Sequence, residues 1–241
     1  MKTVAFCTLG CKVNQYETNG MIQEFKESGY EIAEFDKKAD VYVVNTCTVT
    51  NMADRKSRQM LRKVKELNPK AILAAVGCYA QVSKEELEKI PEIDLILGTN
   101  KKKDLLEYVN KMLEDREGLN SNIKLEEDIT DVLHCEEYVD FGDVTFTEKT
   151  RAVIKVQDGC DRFCSYCIIP YARGHIRSRK PESVVSEITK IAQNGIKEVV
   201  ITGIHLASYG RDFKEKKYRL IDLLEDINKI DGIERVRLRI T

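Results

Sequence analysis

The stretch VYVVNTC, Val41 to Cys47, constrains the fold more than any other in the chain. It is apolar and mostly β-branched from Val41 to Val44, with no polar alternation, the pattern of a strand buried on both faces in a parallel sheet. Its surroundings repeat the theme. Thr3–Leu9 reads as a strand, and Asn14 with Glu17 reads as a capping box opening a helix that carries Met21 and Phe25 on one face and stops at Gly29. After the Val41 strand comes a helix with Met60, Val64 and Leu67 in register, ended by Asn68-Pro69. Ala71–Gly77 is the next strand, and Ser83 with Glu86 suggests a capped helix ending near Pro91. Leu95–Leu97 is then a strand and Asp104–Leu113 a helix. Strands alternating with helices predict an α/β fold, an open parallel sheet with flanking helices, over residues 1–113.

The pattern then breaks. Residues 114–148 hold twelve acidic residues against Arg116 and Lys124 and read as an acidic linker with a short strand or two. Alternation resumes over 149–241. Ala152–Gln157 is a strand and Ser183–Gln193 a helix with Val184, Ile188 and Ile191 aligned, stopped by Gly195. Glu198–Thr202 is a strand, Leu220–Ile230 an amphipathic helix and Val236–Ile240 a strand. A second βα domain has begun, and the sequence stops at Thr241 in or just after a strand.

No run approaches a membrane span, and the apolar start of MKTVAFCTLGCK is ended too early by Lys12 for a secretory signal. A cytoplasmic location is the expectation, where thiols stay reduced and eight cysteines are ligands sooner than disulfides. The net charge is only −1, yet Asn51–Lys70 carries seven Lys/Arg and Lys149–Lys180 eight, each against two acids. These segments are either solvated faces or an RNA-contacting surface.

Six cysteines fall into two sets of three. Cys160, Cys164 and Cys167 lie in DGCDRFCSYCIIPYARG with gaps of three and two residues. Cys11, Cys47 and Cys78 are far apart in sequence, but each follows a strand, and open α/β sheets bind ligands at the carboxyl ends of their strands. Cys7 and Cys135 read as structural. Thiolate sites for zinc or iron–sulfur want four ligands, and each set offers three. A four-iron cluster on three thiolates keeps one iron open to a further ligand. Structural zinc, completed by His175 or an outside residue, is the alternative, although zinc sites more often gather two CxxC pairs.

CDRFCSYC resembles the CxxxCxxC signature of radical S-adenosylmethionine enzymes, with an aromatic residue, Tyr166, before the last cysteine. TLGCKVNQYET, NTCTVT and GCYAQ together resemble the methylthiotransferases of that superfamily. NTCTVTNMADRKSRQ, CSYCIIPYARGHIRSR and GIHLASYGRD are most similar to the kind acting on N6-threonylcarbamoyladenosine beside the tRNA anticodon. Other members act on an isopentenyl-modified adenosine of tRNA or an aspartate of a ribosomal protein.

The resemblance implies a first domain followed by the first half of a partial (βα) barrel. It implies two 4Fe-4S clusters, one held by Cys11, Cys47 and Cys78 and one by Cys160, Cys164 and Cys167. At the second, S-adenosylmethionine occupies the open iron and is cleaved to a radical; the first carries the sulfur that is methylated and inserted at C2 of the adenine. Tyr166 is then expected to touch the cofactor adenine through its backbone, and Gly203 to border the cofactor amino group. Arg173, Arg177 and Arg179 are candidates for the cofactor carboxylate or RNA phosphate. Implied partners are tRNA, an electron donor such as flavodoxin or ferredoxin, and a sulfur source. Such enzymes continue through the rest of the barrel into a small tRNA-gripping β-barrel, so this chain is expected to be truncated. A zinc- and RNA-binding fragment, or a radical enzyme with one cluster, are the competing readings.

Overall fold

The computed structural model describes residues 1–117, 125–145, 150–214 and 217–239. Two compact units are present, Met1–Gly10 with Met21–Asp131, and Cys11–Gly20 with Val132–Thr241. The elements of the first half are β1 (Thr3–Thr8), α1 (Lys12–Glu27), β2 (Glu31–Ala33), β3 (Val41–Thr46), α2 (Asn51–Leu67) and β4 (Ile72–Gly77). They continue with α3 (Cys78–Val82), α4 (Lys84–Leu87), β5 (Leu95–Leu97), α5 (Leu105–Glu117) and β6 (Glu126–Asp128). The second half holds β7 (Arg151–Asp158), α6 (Ile169–Arg173), β8 (Arg177–Ser178), α7 (Pro181–Gln193), β9 (Glu198–Gly203), α8 (Leu220–Ile227) and β10 (Arg235–Arg239).

The first unit is built on a six-stranded sheet in the order β2-β1-β3-β4-β5-β6, with every pair parallel. All six residues of β3 and all six of β4 are buried, as the unbroken apolar runs require. Leu61 and Val64 of α2 pack on one face with Tyr42, Val44, Leu73 and Ala75. Thr50 caps α2, its side chain accepting from the Ala53 N–H at 3.2 Å, and Asn68 ends it ahead of Pro69. The edge strands β2 and β6 are three residues each and had no sequence signature, since EIA and EED bury too little to show a pattern. The helix expected from Ser83 and Glu86 is a single turn, α4, without a side-chain cap. Glu86 instead accepts from the Tyr79 hydroxyl at 2.5 Å and from Arg58 at 3.0 Å.

The second unit carries a four-stranded sheet, β10-β9-β7-β8, parallel except for β8. Val184, Ile188 and Ile191 of α7 and Leu223 and Ile227 of α8 pack against Ile154, Val156, Val199 and Ile201. Residues up to Gly20 of α1 belong to this unit. Here the capping-box reading fails. The helix has already begun at Lys12, and Asn14 and Glu17 are buried inside it. The expected acidic linker, 114–148, lies partly outside the described residues; its described part includes the end of α5, β6 and a 3₁₀ turn at Val132–His134. The last strand was expected to reach Ile240, which also lies outside them. Among the described residues, no helix is long and apolar enough to cross a membrane.

Candidate metal centre

The cysteine segment of the second unit leaves the carboxyl end of β7 and is fixed at both ends by glycines. Gly159 has φ +69, and a Cβ there would collide with the carbonyl oxygen of His175. Gly174 has φ +74, and a Cβ would run into the carbonyl of Val132. Only glycine fits either position. Between them the Cys160 N–H donates to the Gly174 carbonyl at 3.0 Å, and the Cys167 N–H to the Cys164 carbonyl at 2.9 Å. The Asp161 carboxylate lies 2.7 Å from His175 Nδ1 and accepts from the Ile176 N–H at 3.2 Å. Phe163, at φ +42, meets Tyr171 edge to face. The loop is thereby braced while its three thiols remain free, Cys164 exposed and Cys160 and Cys167 half-buried. Tyr166 is 89% exposed.

Beside the loop, β7 and β9 end together. A Cβ on Gly203 would stand 2.9 Å from both Cβ and Oε1 of Gln157, so the close strand approach demands glycine. The Gln157 amide ties the two ends. Its Nε2 donates to the carbonyls of Asp158 and Gly159, at 2.5 and 2.7 Å, and its Oε1 accepts from the His205 N–H at 2.7 Å. His205 Nδ1 lies 2.5 Å from Ser208 Oγ. Burial, then the nearby charges of Arg162 and Arg211, push its imidazole below the ordinary value. Sequence reading passed over Gln157 and His205; the signal for His205 was its place just after a strand end in GIHL.

Behind the loop lies a buried ion network. Arg173 Nη1 donates to Glu17 Oε1 at 2.6 Å and to both Asp158 oxygens at 3.2 Å, and its Nη2 reaches Asn14 Oδ1 at 2.5 Å. Lys155 Nζ donates to Glu17 at 2.7 Å and to Asp158 at 2.6 Å. Burial alone would raise the Asp158 carboxyl, but Arg173, Lys155 and Arg177 outweigh it and hold it at about 2. Arg179 donates to Glu187, to Tyr16 Oη at 3.0 Å and to Asp140 at 3.0 Å, and Tyr16 in turn donates to Glu187.

This corrects the expectation for the three arginines. Arg173, Arg177 and Arg179 are buried, so none is placed to meet an RNA phosphate, and their charges are met by carboxylates of the same unit: Glu17 and Asp158 for Arg173, Asp158 for Arg177, and Asp140 and Glu187 for Arg179. Lys155 is buried with them, which strips the segment Lys149–Lys180 of half its apparent basic surface.

The other set of cysteines is divided. Thr46 and Gly77 are register partners on β3 and β4, so Cys47 and Cys78 leave the first unit's sheet side by side, on strands about 4.8 Å apart. Both are buried. Gly77 has φ +103 and abuts Asn45 Oδ1, and Ser57 Oγ of α2 donates to the Cys47 carbonyl at 3.3 Å. Cys11 belongs to the second unit, half-buried at the head of α1, where its carbonyl accepts from the Gln15 N–H at 3.1 Å. Cys7 is half-buried in β1, and burial raises its thiol.

Among the described residues, no three Cys, His, Asp or Glu side chains converge as ligands of a single metal ion. A cubane makes a different demand, because its thiolates bind different irons and stand further apart than the ligands of one ion. Three free thiols on a loop braced at both ends suit it.

A cysteine-rich loop with CxxxCxxC spacing at the end of the first strand of a parallel α/β sheet defines a radical S-adenosylmethionine domain. Residues 154–241 match the radical SAM superfamily, and residues 3–98 match a family described as uncharacterized protein family UPF0004. The chain is 43% identical over 239 residues to the threonylcarbamoyladenosine tRNA methylthiotransferase of Bacillus subtilis, covering 99% of this chain and 51% of that protein. It is 45% identical over 235 residues to the Aquifex aeolicus protein of the same name, covering 98% and 55%. It thus spans about half the length of these curated relatives. A solved radical S-adenosylmethionine methyltransferase from Kitasatospora setae aligns with a TM-score of 0.56 at 15% identity over 94% of this chain and 51% of its own, a likeness of fold. The chain thus joins a UPF0004 segment to a radical SAM segment and is similar to about half the length of these methylthiotransferases.

Proposed function

We propose that this chain is the two-cysteine-set portion of a cytoplasmic tRNA methylthiotransferase that places a methylthio group at C2 of N6-threonylcarbamoyladenosine. The observation that carries the reading is the pair of cysteine placements. Cys160, Cys164 and Cys167 sit at the end of β7, and Cys47 and Cys78 sit at the registered ends of β3 and β4. The names of the two relatives support the choice of base.

In this reading Cys160, Cys164 and Cys167 hold a 4Fe-4S cluster that, with S-adenosylmethionine bound, supplies radical chemistry. Cys11, Cys47 and Cys78 hold a second cluster. Gly159 and Gly174 fix the loop that presents the first set, and Gln157 and Gly203 set the floor beside it. The exposed Tyr166 offers its backbone to the cofactor adenine, and Gly203 borders the cofactor amino group. The working division is 1–113 and 149–241, joined by 114–148, with tRNA, an electron donor and a sulfur source as partners.

The test pairs two variants under strict exclusion of oxygen, with S-adenosylmethionine, a reductant and an anticodon stem–loop carrying the threonylcarbamoyl base. Cys164→Ala is expected to abolish cleavage of S-adenosylmethionine. Cys47→Ala is expected to retain cleavage and lose methylthiolated product. Full product formation by Cys47→Ala would overturn the two-cluster reading.

A further inference from the structure

In the first unit several cations outside α2 are matched by a carboxylate: Lys84 with Glu127, Lys101 with Asp128, Lys111 with Glu126, Arg116 with Asp94. The outer face of α2 is different. Arg55, Lys56, Arg62 and Lys63 are exposed, and among the described residues no carboxylate lies within ion-pair distance of any of them. Arg55, Arg62 and Lys63 line an open groove of about 640 Å³ together with Arg58 and Gln59, and Glu66 is the one acid along it. The two pairs are seven residues apart, about 10 Å along the helix axis. A nucleic-acid strand offers several phosphates over that length.

From this unneutralised stripe we infer that α2 is a docking surface for the sugar–phosphate backbone of RNA. The inference rests on the tRNA reading above and deepens it by assigning the contact. A membrane fits the stripe less well. The apolar side of α2, Leu61 and Val64, is already buried on the sheet, so the helix has no free face to insert. Placement also fits the candidate site. Ser57 pins the first half of α2 to the Cys47 turn, so the stripe starts beside one of the proposed cluster ligands. Backbone contacts position a substrate without reading its sequence.

The experiment measures binding of a fluorescent anticodon-type stem–loop RNA to the full chain across a KCl series. Wild type is compared with Arg55→Gln/Lys56→Gln/Arg62→Gln/Lys63→Gln and with a control, Lys111→Gln/Lys229→Gln. All these side chains are exposed, and circular dichroism checks that the fold is kept. The expected result is at least a tenfold weaker affinity for the quadruple variant at low salt. Its slope of log K against log[KCl] is expected to be shallower by about 2 to 3, and the loss should be equal for a scrambled stem–loop. The control variant should match wild type. Equal affinity and slope in the quadruple variant would overturn the docking surface while leaving the tRNA reading in place. No RNA binding by wild type at low salt would overturn both. Binding of wild type to phosphatidylserine vesicles in place of RNA, lost in the quadruple variant, would assign the stripe to a membrane and overturn it equally.

Discussion

Glu17 and Arg173 are 156 residues apart in the chain, and their side chains meet at 2.6 Å with almost no exposure to solvent. Arg173 also reaches Asp158, two residues before Cys160, and Glu17 lies six residues beyond Cys11, about 9 Å along the helix axis. The second unit therefore holds the head of α1 and the root of the CxxxCxxC loop on one buried charge network.

Breaking that network from one side should be costly. Arg173→Met leaves Glu17 and Asp158 with Lys155 and, 4.0 Å from Asp158, Arg177, and removing one partner of a buried pair costs about 3–5 kcal/mol. Glu17→Leu should cost a similar amount, and the double variant less than the sum of the two singles. Urea denaturation of the three proteins reads this directly; singles within 1 kcal/mol of wild type would contradict the buried network.

Two glycines with the same backbone sign should respond differently to alanine. Gly195, φ +83, has nothing within 4 Å of a new Cβ, so Gly195→Ala should cost only the left-handed backbone, about 1–2 kcal/mol. Gly159→Ala adds a collision with the His175 carbonyl and should displace the loop, lowering iron uptake at Cys160, Cys164 and Cys167 as well as stability. Equal melting temperatures and equal iron content for the two variants would remove the steric account.

Glu24 makes stability depend on pH. Half-buried on α1, it is pushed from 4.5 up to about 7 by desolvation, with Lys103 opposing. A carboxyl raised on folding contributes fully below about 4.5, and its contribution is lost as pH rises through about 7. Glu24→Gln should therefore match wild type near pH 4 and exceed it at pH 8. The full shift would be worth about 3 kcal/mol; discounted for partial exposure it is about 1 kcal/mol, or a Tm gain of roughly 2–4 °C. Melting curves at both values decide it, and a constant difference across the range would exclude Glu24 as the source.

The elements legible in the sequence are those whose burial is dictated by local pattern. VYVVNT and ILAAVG read as doubly covered strands, and Val64 of the Met60/Val64/Leu67 stripe and Val184/Ile188/Ile191 mark the inner faces of α2 and α7. Met60 and Leu67, however, are only partly buried, and the fully buried Leu61 lay outside the stripe. The α/β class follows from their alternation, and the three-and-two spacing already singled out Cys160, Cys164 and Cys167. What stayed hidden depends on distant partners. Asn14 and Glu17 mimic a cap because the residues that bury them are Arg173 and Lys155. The arginines of RGHIRSR look like phosphate ligands because their carboxylates, Glu17, Asp140, Asp158 and Glu187, are scattered over the chain. The strands β2 and β6 are too short to carry a period at all.

The proposed function requires two three-thiolate iron–sulfur sites in this chain. Iron and sulfide per chain after anaerobic reconstitution test it most directly, for wild type and for Cys160→Ala/Cys164→Ala/Cys167→Ala. About eight irons falling to about four is the predicted result, one cubane lost and one kept. About four falling to none would contradict it, leaving Cys11, Cys47 and Cys78 as ordinary thiols.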